Sequence, residues 1–264
     1  TSATKNQDAK CICRYALEEF REALRLAPNI AVNYQVLAAS LVNANRLDEA
    51  EAVYKLSDER HLPYVGRPKS LYLLAFLQGD QARMAQLASS VAGKRNVEDA
   101  MLGAEAETET WRGRLKAARV FTQRAMDLAL KNDAKETAAG YMVTTALFEA
   151  QSGLGEQGRI DANAAIKLAS NRDGRAMAAL ALAQSGDARS AEKLAAELDK
   201  GFPLDTLIQK YWLPVIRAAI ALQGNNPNRA VELLQVASPY EFAGATNISN
   251  PCIFPAYVRG EAYL

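Results

Sequence analysis

The stretch Ala16–Tyr54, ALEEFREALRLAPNIAVNYQVLAASLVNANRLDEAEAVY, carries the pattern from which the rest of the chain can be interpreted. Its apolar residues recur three and four positions apart, as they do on one face of an amphipathic helix. Pro28 ends the first helix, because proline disfavours helical geometry in the residue before it. Asn45 separates the next two. The stretch therefore predicts three consecutive helices joined by short turns.

The same pattern returns with a fixed period. Ala16 and Ala50 are 34 residues apart, and so are Phe20 and Tyr54. A period of about that length, with two helices in each period, is typical of an array of antiparallel helical hairpins. We therefore expect each hairpin to bury its apolar stripe against the next.

These residues resemble the tetratricopeptide repeat family. Its pattern places an aromatic residue, Leu-Gly and a second aromatic on the first helix of each hairpin, and alanine, an aromatic, alanine and proline on the second. The matching residues are Ala16, Phe20, Ala23 and Pro28, then Tyr34, Leu37, Ala50 and Tyr54, with Ala38 in place of glycine and Leu41 in place of an aromatic. The resemblance implies an all-α fold: one right-handed α-solenoid of about seven hairpins over residues 1–264.

The repeat frame can be followed through the turns. Steps of 34 residues lead from Asn45 to Gly79 and then to Gly113. Glycine accepts the left-handed backbone that ends a helix, so both glycines are expected in turns. Beyond them the spacing changes. GLGEQG (Gly153–Gly158) is expected to be a longer turn, in which Gly158 corresponds to Gly113 after 45 residues rather than 34. Pro214 either begins a new helix or lies inside a longer, kinked one.

The two ends of the chain carry the pattern poorly. Residues 1–10 are polar and are expected to be a tail or frayed helix, with Cys11 at the turn position of a first unit. Residues 238–255 are expected to form a long loop, and residues 256–264 the first helix of an incomplete repeat. We therefore expect a solenoid truncated at both ends.

Composition excludes several function classes. The 264 residues are 49% hydrophobic, and 31 Lys and Arg balance 30 Asp and Glu. Nucleic-acid binding depends on a basic surplus, so no nucleic-acid partner is predicted. Cys11, Cys13, Cys252 and the single His61 do not have the spacing of a zinc site, and neither metal nor cofactor is predicted. The chain has no apolar run long enough for membrane insertion, and its few cysteines favour a cytoplasmic location.

Catalytic motifs are missing as well. His61 lies in a connector with no patterned nucleophile beside it, and GLGEQG lacks the strand and the Lys-Ser/Thr of a phosphate-binding loop. We therefore predict that the chain is not an enzyme. The C-terminal third loosely resembles repeat regions attached to bacterial serine/threonine kinases and winged-helix regulators. That resemblance gives an alternative, the regulatory region of a larger signalling protein; a helical-repeat enzyme or nucleic-acid binder is a further alternative.

The family resemblance also implies where a partner would bind, because first helices line the concave groove of such a superhelix. The residues it places there are Gln35, Ala39, Lys69, Leu73, Phe76, Glu107, Thr110 and Trp111. The family's best-defined binding mode clamps a carboxylate with Lys and Asn side chains of successive first helices. The corresponding residues here include Gln35 and Ala39, so that binding mode is not predicted. We therefore predict a non-catalytic interaction module that holds a protein or peptide segment in the groove, its oligomeric state left open.

Two groups of side chains allow two interpretations each. Glu105, Glu107 and Glu109 form either an acidic patch for a basic peptide or a solvated helix face. The large aromatics Trp111, Tyr211 and Trp212 either pack in the core or line the groove.

Overall fold

Helices are the only regular secondary structure in the part of the chain that the structure, a computed structural model, describes: residues 17–241 and 253–264. The helices are α1 (17–26), α2 (Ala31–Asn43), α3 (Leu47–Glu59), α4 (Arg67–Gln78), α5 (Gln81–Ser90), α6 (Glu98–Trp111), α7 (Leu115–Lys131), α8 (Lys135–Gln151), α9 (Gly155–Leu168), α10 (Arg172–Gln184), α11 (Ala188–Gly201), α12 (Leu213–Gln223), α13 (Pro227–Leu234) and α14 (Phe254–Tyr263). The predictions for residues 1–10, for the three cysteines and for most of the 238–255 loop lie outside the described residues.

The chain divides into two compact units, Thr1–Ala104 and Glu105–Leu264. In the first unit α2 pairs with α3 and α4 with α5, and α4 also contacts both helices of the preceding hairpin. In the second unit α8, α10, α12 and α14 contact one another in succession, while α9, α11 and α13 each pack between two of them. Each unit thus stacks helical hairpins, and the predicted all-α solenoid is confirmed.

Every hairpin turn contains one residue in the left-handed region, which we call the turn residue. The turn residues are Asn45, Gly79, Gly113, Gly153, Gly186 and Asn225, with φ between 53° and 84°. In each case the N–H of the next residue donates to the carbonyl four residues before the turn residue, as from Arg46 to Leu41 and from Asp187 to Leu182. This is the Schellman arrangement that closes a helix end. The prediction that Gly79 and Gly113 lie in turns is confirmed.

Small residues occupy two fixed positions in nearly every hairpin, seven before and five after the turn residue. The pairs are Ala38 and Ala50, Ala106 and Ala118, Ala146 and Gly158, Ala179 and Ala191, and Ala218 and Ala230; Tyr72 and Met84 are the exception. Gly158 shows why size matters, since a Cβ on it would lie 2.7 Å from the Ala146 carbonyl oxygen and 3.1 Å from the Ala150 nitrogen. The two helices of this hairpin are therefore in backbone contact.

The prediction of a longer turn at Gly153–Gly158 is wrong. The turn ends at Leu154, α9 begins at Gly155, and Gly158 is a packing residue inside that helix. The residue equivalent to Gly113 is Gly153, 40 residues on. The step is longer than 34 because α7 and α8 have 17 residues each, against 13 for α2 and 13 for α3, about one extra helical turn apiece.

Pro214 lies inside a longer helix, the second of the two predicted alternatives. Helical geometry runs through residues 206–223, and the segment Ile208–Trp212 before the proline is a π-helix. Proline has no N–H to give to the carbonyl of Lys210, so a regular α-helical ladder is interrupted there. The wider π turn accommodates that interruption.

The largest core lies in the second unit around α10, which is buried on almost every side. Its residues Ala178–Ala183 are all completely buried. Tyr211 and Trp212 belong to this core, and the Trp212 ring lies 5.5 Å from both the Tyr211 and the Phe254 rings. Of the two interpretations of these aromatics, core packing is correct for Tyr211 and Trp212.

The close crossing at Gly158 generates a testable prediction. Gly158→Ala should lower the free energy of unfolding by about 1–3 kcal/mol, because the new methyl group would collide with backbone rather than with a movable side chain. Gly140→Ala is the matched control. Gly140 lies inside the neighbouring α8 with nothing within 4 Å of its Cβ position, so this change should stabilise by about 0.4–1 kcal/mol.

Urea unfolding of the two variants and the wild type measures both effects. Opposite signs for the two alanines are expected. A stabilising Gly158→Ala would show that the helices do not meet in backbone contact at this residue.

Candidate functional site

Gln35, the first predicted groove residue, lies in the interior of the first unit. It is 2% exposed, and its Nε2 donates to the Ser70 Oγ at 2.8 Å and to the Tyr54 hydroxyl at 3.4 Å. The carboxamide thus bridges α2 to both α3 and α4. A partner cannot reach it, so Gln35 is removed from the candidate surface.

The remaining groove residues of the first unit lie on α2 and α4 with intermediate exposure. Ala39, Lys69, Leu73 and Phe76 are all half-buried, and Leu73 and Phe76 pack against the core around Tyr72. Leu77, which the sequence analysis did not select, is 53% exposed beside Phe76. The apolar side of α4 therefore reaches the surface at its C-terminal end.

In the second unit the predicted groove residues differ sharply in exposure. Glu107 and Thr110 are half-buried, and the Thr110 hydroxyl donates to the Ala106 carbonyl at 2.9 Å. Trp111 ends α6 and is 78% exposed. Of the two interpretations of this aromatic, core packing does not apply.

Glu109 is neutralised within its own turn. It forms ion pairs with Arg112, at 3.2 Å, and with Arg114, whose hydrogen bond holds the pKa of the Glu109 carboxyl below its usual range. The acidic face formed with Glu105 and Glu107 is therefore partly compensated, which weakens the interpretation as a patch for a basic peptide.

One position of each first helix, two residues before the turn residue, recurs within each unit, and the sequence analysis found it only in part. We call it the pre-turn position. It is occupied by Asn43, Leu77, Trp111, Gln151, Gln184 and Gln223 in successive hairpins. Trp111 was selected from the family frame, but the three glutamines of the second unit were not. Counting back two residues from each turn residue would have found them.

These three glutamines line one cavity of about 410 Å³ in the second unit, which we call the glutamine cavity. Its apolar lining includes Ala150, Ala219 and Leu222. Glu261 of α14 also lines this cavity, and burial raises the pKa of its carboxyl.

Gln184 differs from the other two glutamines in the burial of its carboxamide. Both its Nε2 and its Oε1 are buried, and neither has a hydrogen-bond partner among the described residues. Gln184 favours the charged form of the nearby Glu261, but the two side chains do not reach hydrogen-bond geometry. The Gln223 Nε2 approaches the main-chain oxygen of Gln184 at 3.5 Å instead.

A second polar cluster joins α7, α8 and α9. The Arg119 guanidinium donates to Glu149 at 2.6 Å and to Asp161 at 2.9 Å, beside a cavity of about 320 Å³. Glu149 is 2% exposed, and burial raises the pKa of its carboxyl to about 7 against the opposing effect of Arg119. Glu149 lies four residues before its turn residue, where Leu41 and Leu182 are buried in other hairpins. A carboxylate at this core position was not predicted.

Other site types find no support in the part of the chain that the structure describes. Within residues 17–241 and 253–264, no group of three His, Cys, Asp or Glu side chains is placed to hold a metal ion. In the same residues no helix is both long enough and apolar enough to cross a membrane.

Comparison with known proteins identifies the fold. A tetratricopeptide repeat protein from Parabacteroides merdae matches with 15% identity and a TM-score of 0.53, over 97% of this chain and 94% of that chain. The tetratricopeptide repeat domain of P58(IPK) has 12% identity and a TM-score of 0.30, over 99% and 97%. No family model and no curated protein matches. The first match confirms the tetratricopeptide-type fold, while the likeness of the C-terminal third to kinase-attached or winged-helix-attached repeats is unsupported.

Glu149 generates a prediction about pH. A raised pKa means that the folded state holds this proton more tightly than the unfolded chain does, in which the carboxyl has its ordinary pKa of 4.5. The resulting stabilisation is complete below pH 4.5 and is lost as the pH rises through 7. Glu149→Gln stays neutral at every pH. Its free energy of unfolding, relative to that of the wild type, should therefore rise by about 1–3 kcal/mol as the pH increases from 5 to 8.

Glu109→Gln is the control of opposite sign. The pKa of Glu109 is lowered by Arg114, so this variant should lose stability relative to wild type at pH 8. Urea unfolding at the two pH values gives both differences. A Glu149→Gln variant that falls further below wild type at pH 8 than at pH 5 would contradict the burial argument.

Gln184 generates a prediction about stability. Gln184→Leu should raise the free energy of unfolding by about 1 kcal/mol or more, because leucine has no buried polar atoms that lack partners. Gln223→Leu, at the pre-turn position of the next hairpin, is the control; Gln223 is exposed, so the change should stay within about 0.5 kcal/mol. Thermal unfolding compares the two, and a destabilised Gln184→Leu would show that the carboxamide is satisfied inside the protein.

Proposed function

We propose that this tetratricopeptide-type solenoid is a non-catalytic protein-interaction module that binds a polypeptide segment of its partner on the first helices. The observation that carries the proposal is Trp111, an indole 78% exposed at the pre-turn position of α6. Tryptophan supplies a large rigid contact area and is enriched among the residues that dominate binding energy. Left in water, the same side chain gains nothing for folding.

The first unit supports the proposal independently. Leu77 holds the same pre-turn position on α4 and is 53% exposed, beside the half-buried Phe76 and Leu73. Lys69 lies four residues before Leu73 on the same helix and is half-buried too. We propose that these side chains contribute apolar contacts and one positive charge to partner binding.

A catalytic role has no such observation in its favour. The carboxyl with the most perturbed pKa, Glu149, is buried and bonded to Arg119, which is the arrangement of a structural ion pair. No specific contact favours binding of a nucleic acid or a small ligand. No observation favours the alternative that the chain is the regulatory region of a larger signalling protein.

Selection from a random dodecapeptide display library tests the proposal with a defined probe. The full chain should retain peptides whose affinity falls about 30-fold in Trp111→Ala, the loss expected for a dominant contact residue. Leu204→Ala is the matched control, because Leu204 is 95% exposed but lies in the connector before α12 and not on a first helix. Its affinity should equal that of the wild type.

Circular dichroism of each variant checks that the helices are intact. Peptides that bind equally well to Trp111→Ala and the wild type, or a library that yields no binder, would overturn the proposal.

A further inference from the structure

A concentration of positive charge distinguishes α7 and its flanking turns from the rest of the chain. Residues 112–135 contain seven Lys and Arg and only two Asp, although the whole chain has a net charge of only +1. The remaining residues therefore carry a net negative charge. One sign of charge gathered on one element attracts partners of the opposite sign and steers their association.

Four of these seven cations have no acidic partner. Arg112 and Arg114 pair with Glu109, and Arg119 pairs with Glu149 and Asp161. The other four are exposed and form no ion pair within residues 17–241 and 253–264. They are Lys116, Arg124, Lys131 and Lys135. Their charges are therefore available to a binding partner.

Three of the four free cations share one face of α7, and we call Lys116, Arg124 and Lys131 the basic stripe. They lie eight and then seven residues apart, which is close to a whole number of helical turns in each case. The opposite face of the helix includes the buried Ala118 and Ala125. The basic stripe therefore faces away from the core.

A cavity of about 320 Å³ with a mainly apolar lining lies beside the basic stripe. Val120, four residues from both Lys116 and Arg124, is 60% exposed and lines this cavity together with Met126 and Met142. Ligand pockets span about 300–1,000 Å³, so this one suits one or two side chains. Methionine adapts its shape to different apolar groups. An apolar side chain of a partner can thus be held next to the free cations.

Two carboxylates near the stripe are already hydrogen-bonded. Asp161 also lines the cavity, and it accepts a hydrogen bond from the Arg119 Nη2 at 2.9 Å, which offsets its charge. Asp127 is exposed on α7 and accepts from the neutral Gln123 Nε2 at 2.9 Å, so it keeps its charge. The stripe then has three positive charges against one negative charge, and it favours a partner with several carboxylates.

An acidic polypeptide matches this surface better than other polyanions do. Single-stranded nucleic acids stack their bases on aromatic side chains. The one aromatic residue of α7, Phe121, is half-buried, and the Arg124 guanidinium lies 5.9 Å from its ring centre. Helices that bind membrane surfaces insert their apolar face among the lipids, but the apolar face of α7 is buried within the protein. Only a polypeptide brings both carboxylates and an apolar side chain.

We propose that the basic stripe and the adjacent cavity form a second interaction surface, which binds an acidic polypeptide segment and takes one of its apolar side chains into the cavity. The stripe pairs with carboxylates of the segment, while Val120 and Met142 pack against its apolar side chain. This surface lies on a second helix and does not include Trp111. It therefore goes beyond the proposed function.

Displayed dodecapeptides rich in Asp and Glu, with one Leu at a varied position, test the charge requirement. Selected peptides should bind Trp111→Ala as tightly as the wild type. The double variant Arg124→Glu/Lys131→Glu should bind them about 30-fold more weakly, because two attractive charges become repulsive. The matched control is Lys193→Glu/Lys200→Glu, whose lysines are also exposed and seven residues apart on the second helix α11. Its affinity should stay within about twofold of the wild type, since distant charges are screened by salt.

The cavity is tested with the same peptides. Replacing the Leu of a selected peptide by Ser should weaken binding to the wild type about tenfold, and binding to Val120→Ser much less, because that variant has lost part of the apolar contact. All the substituted residues are exposed, and circular dichroism checks that each variant is folded.

Several results would overturn the proposal. They are equal binding of the peptides to Arg124→Glu/Lys131→Glu and the wild type, an unchanged affinity when Leu becomes Ser, and a chain that binds a 20-residue oligothymidine or phosphatidylserine vesicles but no acidic peptide. Peptides that require Trp111 and are insensitive to the charge reversal would also overturn it, and they would leave the proposed function standing.

Discussion

The close crossing of the two helices in most of the hairpins is the constraint on which the rest of the structure depends. Where α8 meets α9, Gly158 leaves no room for a Cβ against the backbone of Ala146 and Ala150. Most other hairpins place a buried alanine at each of the two corresponding positions. Small residues let the helices approach until their backbones touch, and the apolar side chains on either side then pack without voids.

That crossing fixes what happens at the end of each first helix. The chain must reverse within about three residues, which requires the left-handed turn residue and its Schellman hydrogen bond. Two residues earlier, the pre-turn side chain is exposed in Asn43, Leu77, Trp111 and Gln223 and half-buried in Gln151 and Gln184, so this position is available for contacts outside the hairpin in four of the six hairpins described. In the first unit this position carries Leu77, and in the second it carries Trp111 and three glutamines. The same geometry that closes each hairpin thus presents a regularly placed side chain.

Local chemistry made the hairpins and several turns predictable from the sequence. Apolar periodicity and Pro28 predicted the first helices, and Asn45, Gly79 and Gly113 are turn residues because few other residues tolerate that backbone. Glycine was misleading at Gly158, where its role is packing inside a helix and not chain reversal. The frame also failed where α7 and α8 gain a helical turn, since the period depends on helix length as well as on pattern.

The candidate sites were less predictable, because they depend on partners far away in the chain. The buried Gln35 has its hydrogen-bond partner in Ser70, 35 residues later. The buried Glu149 has its ion-pair partner in Arg119, on the preceding helix. Trp111 could be selected from its place in the frame alone. Gln184 could not, because nothing in the letters around it shows that its carboxamide is buried without partners.

The central claim is that a partner contacts the exposed pre-turn aromatic, and the two tryptophans of the chain allow that to be measured without any mutation. Trp111 is 78% exposed and Trp212 is 8% exposed, so their indole N–H signals report on the surface and on the core separately. In a proton–nitrogen correlation spectrum, saturation with a display-selected peptide should shift the Trp111 indole signal and leave that of Trp212 in place. A peptide that binds with the same affinity by calorimetry and leaves the Trp111 signal unmoved would contradict the account.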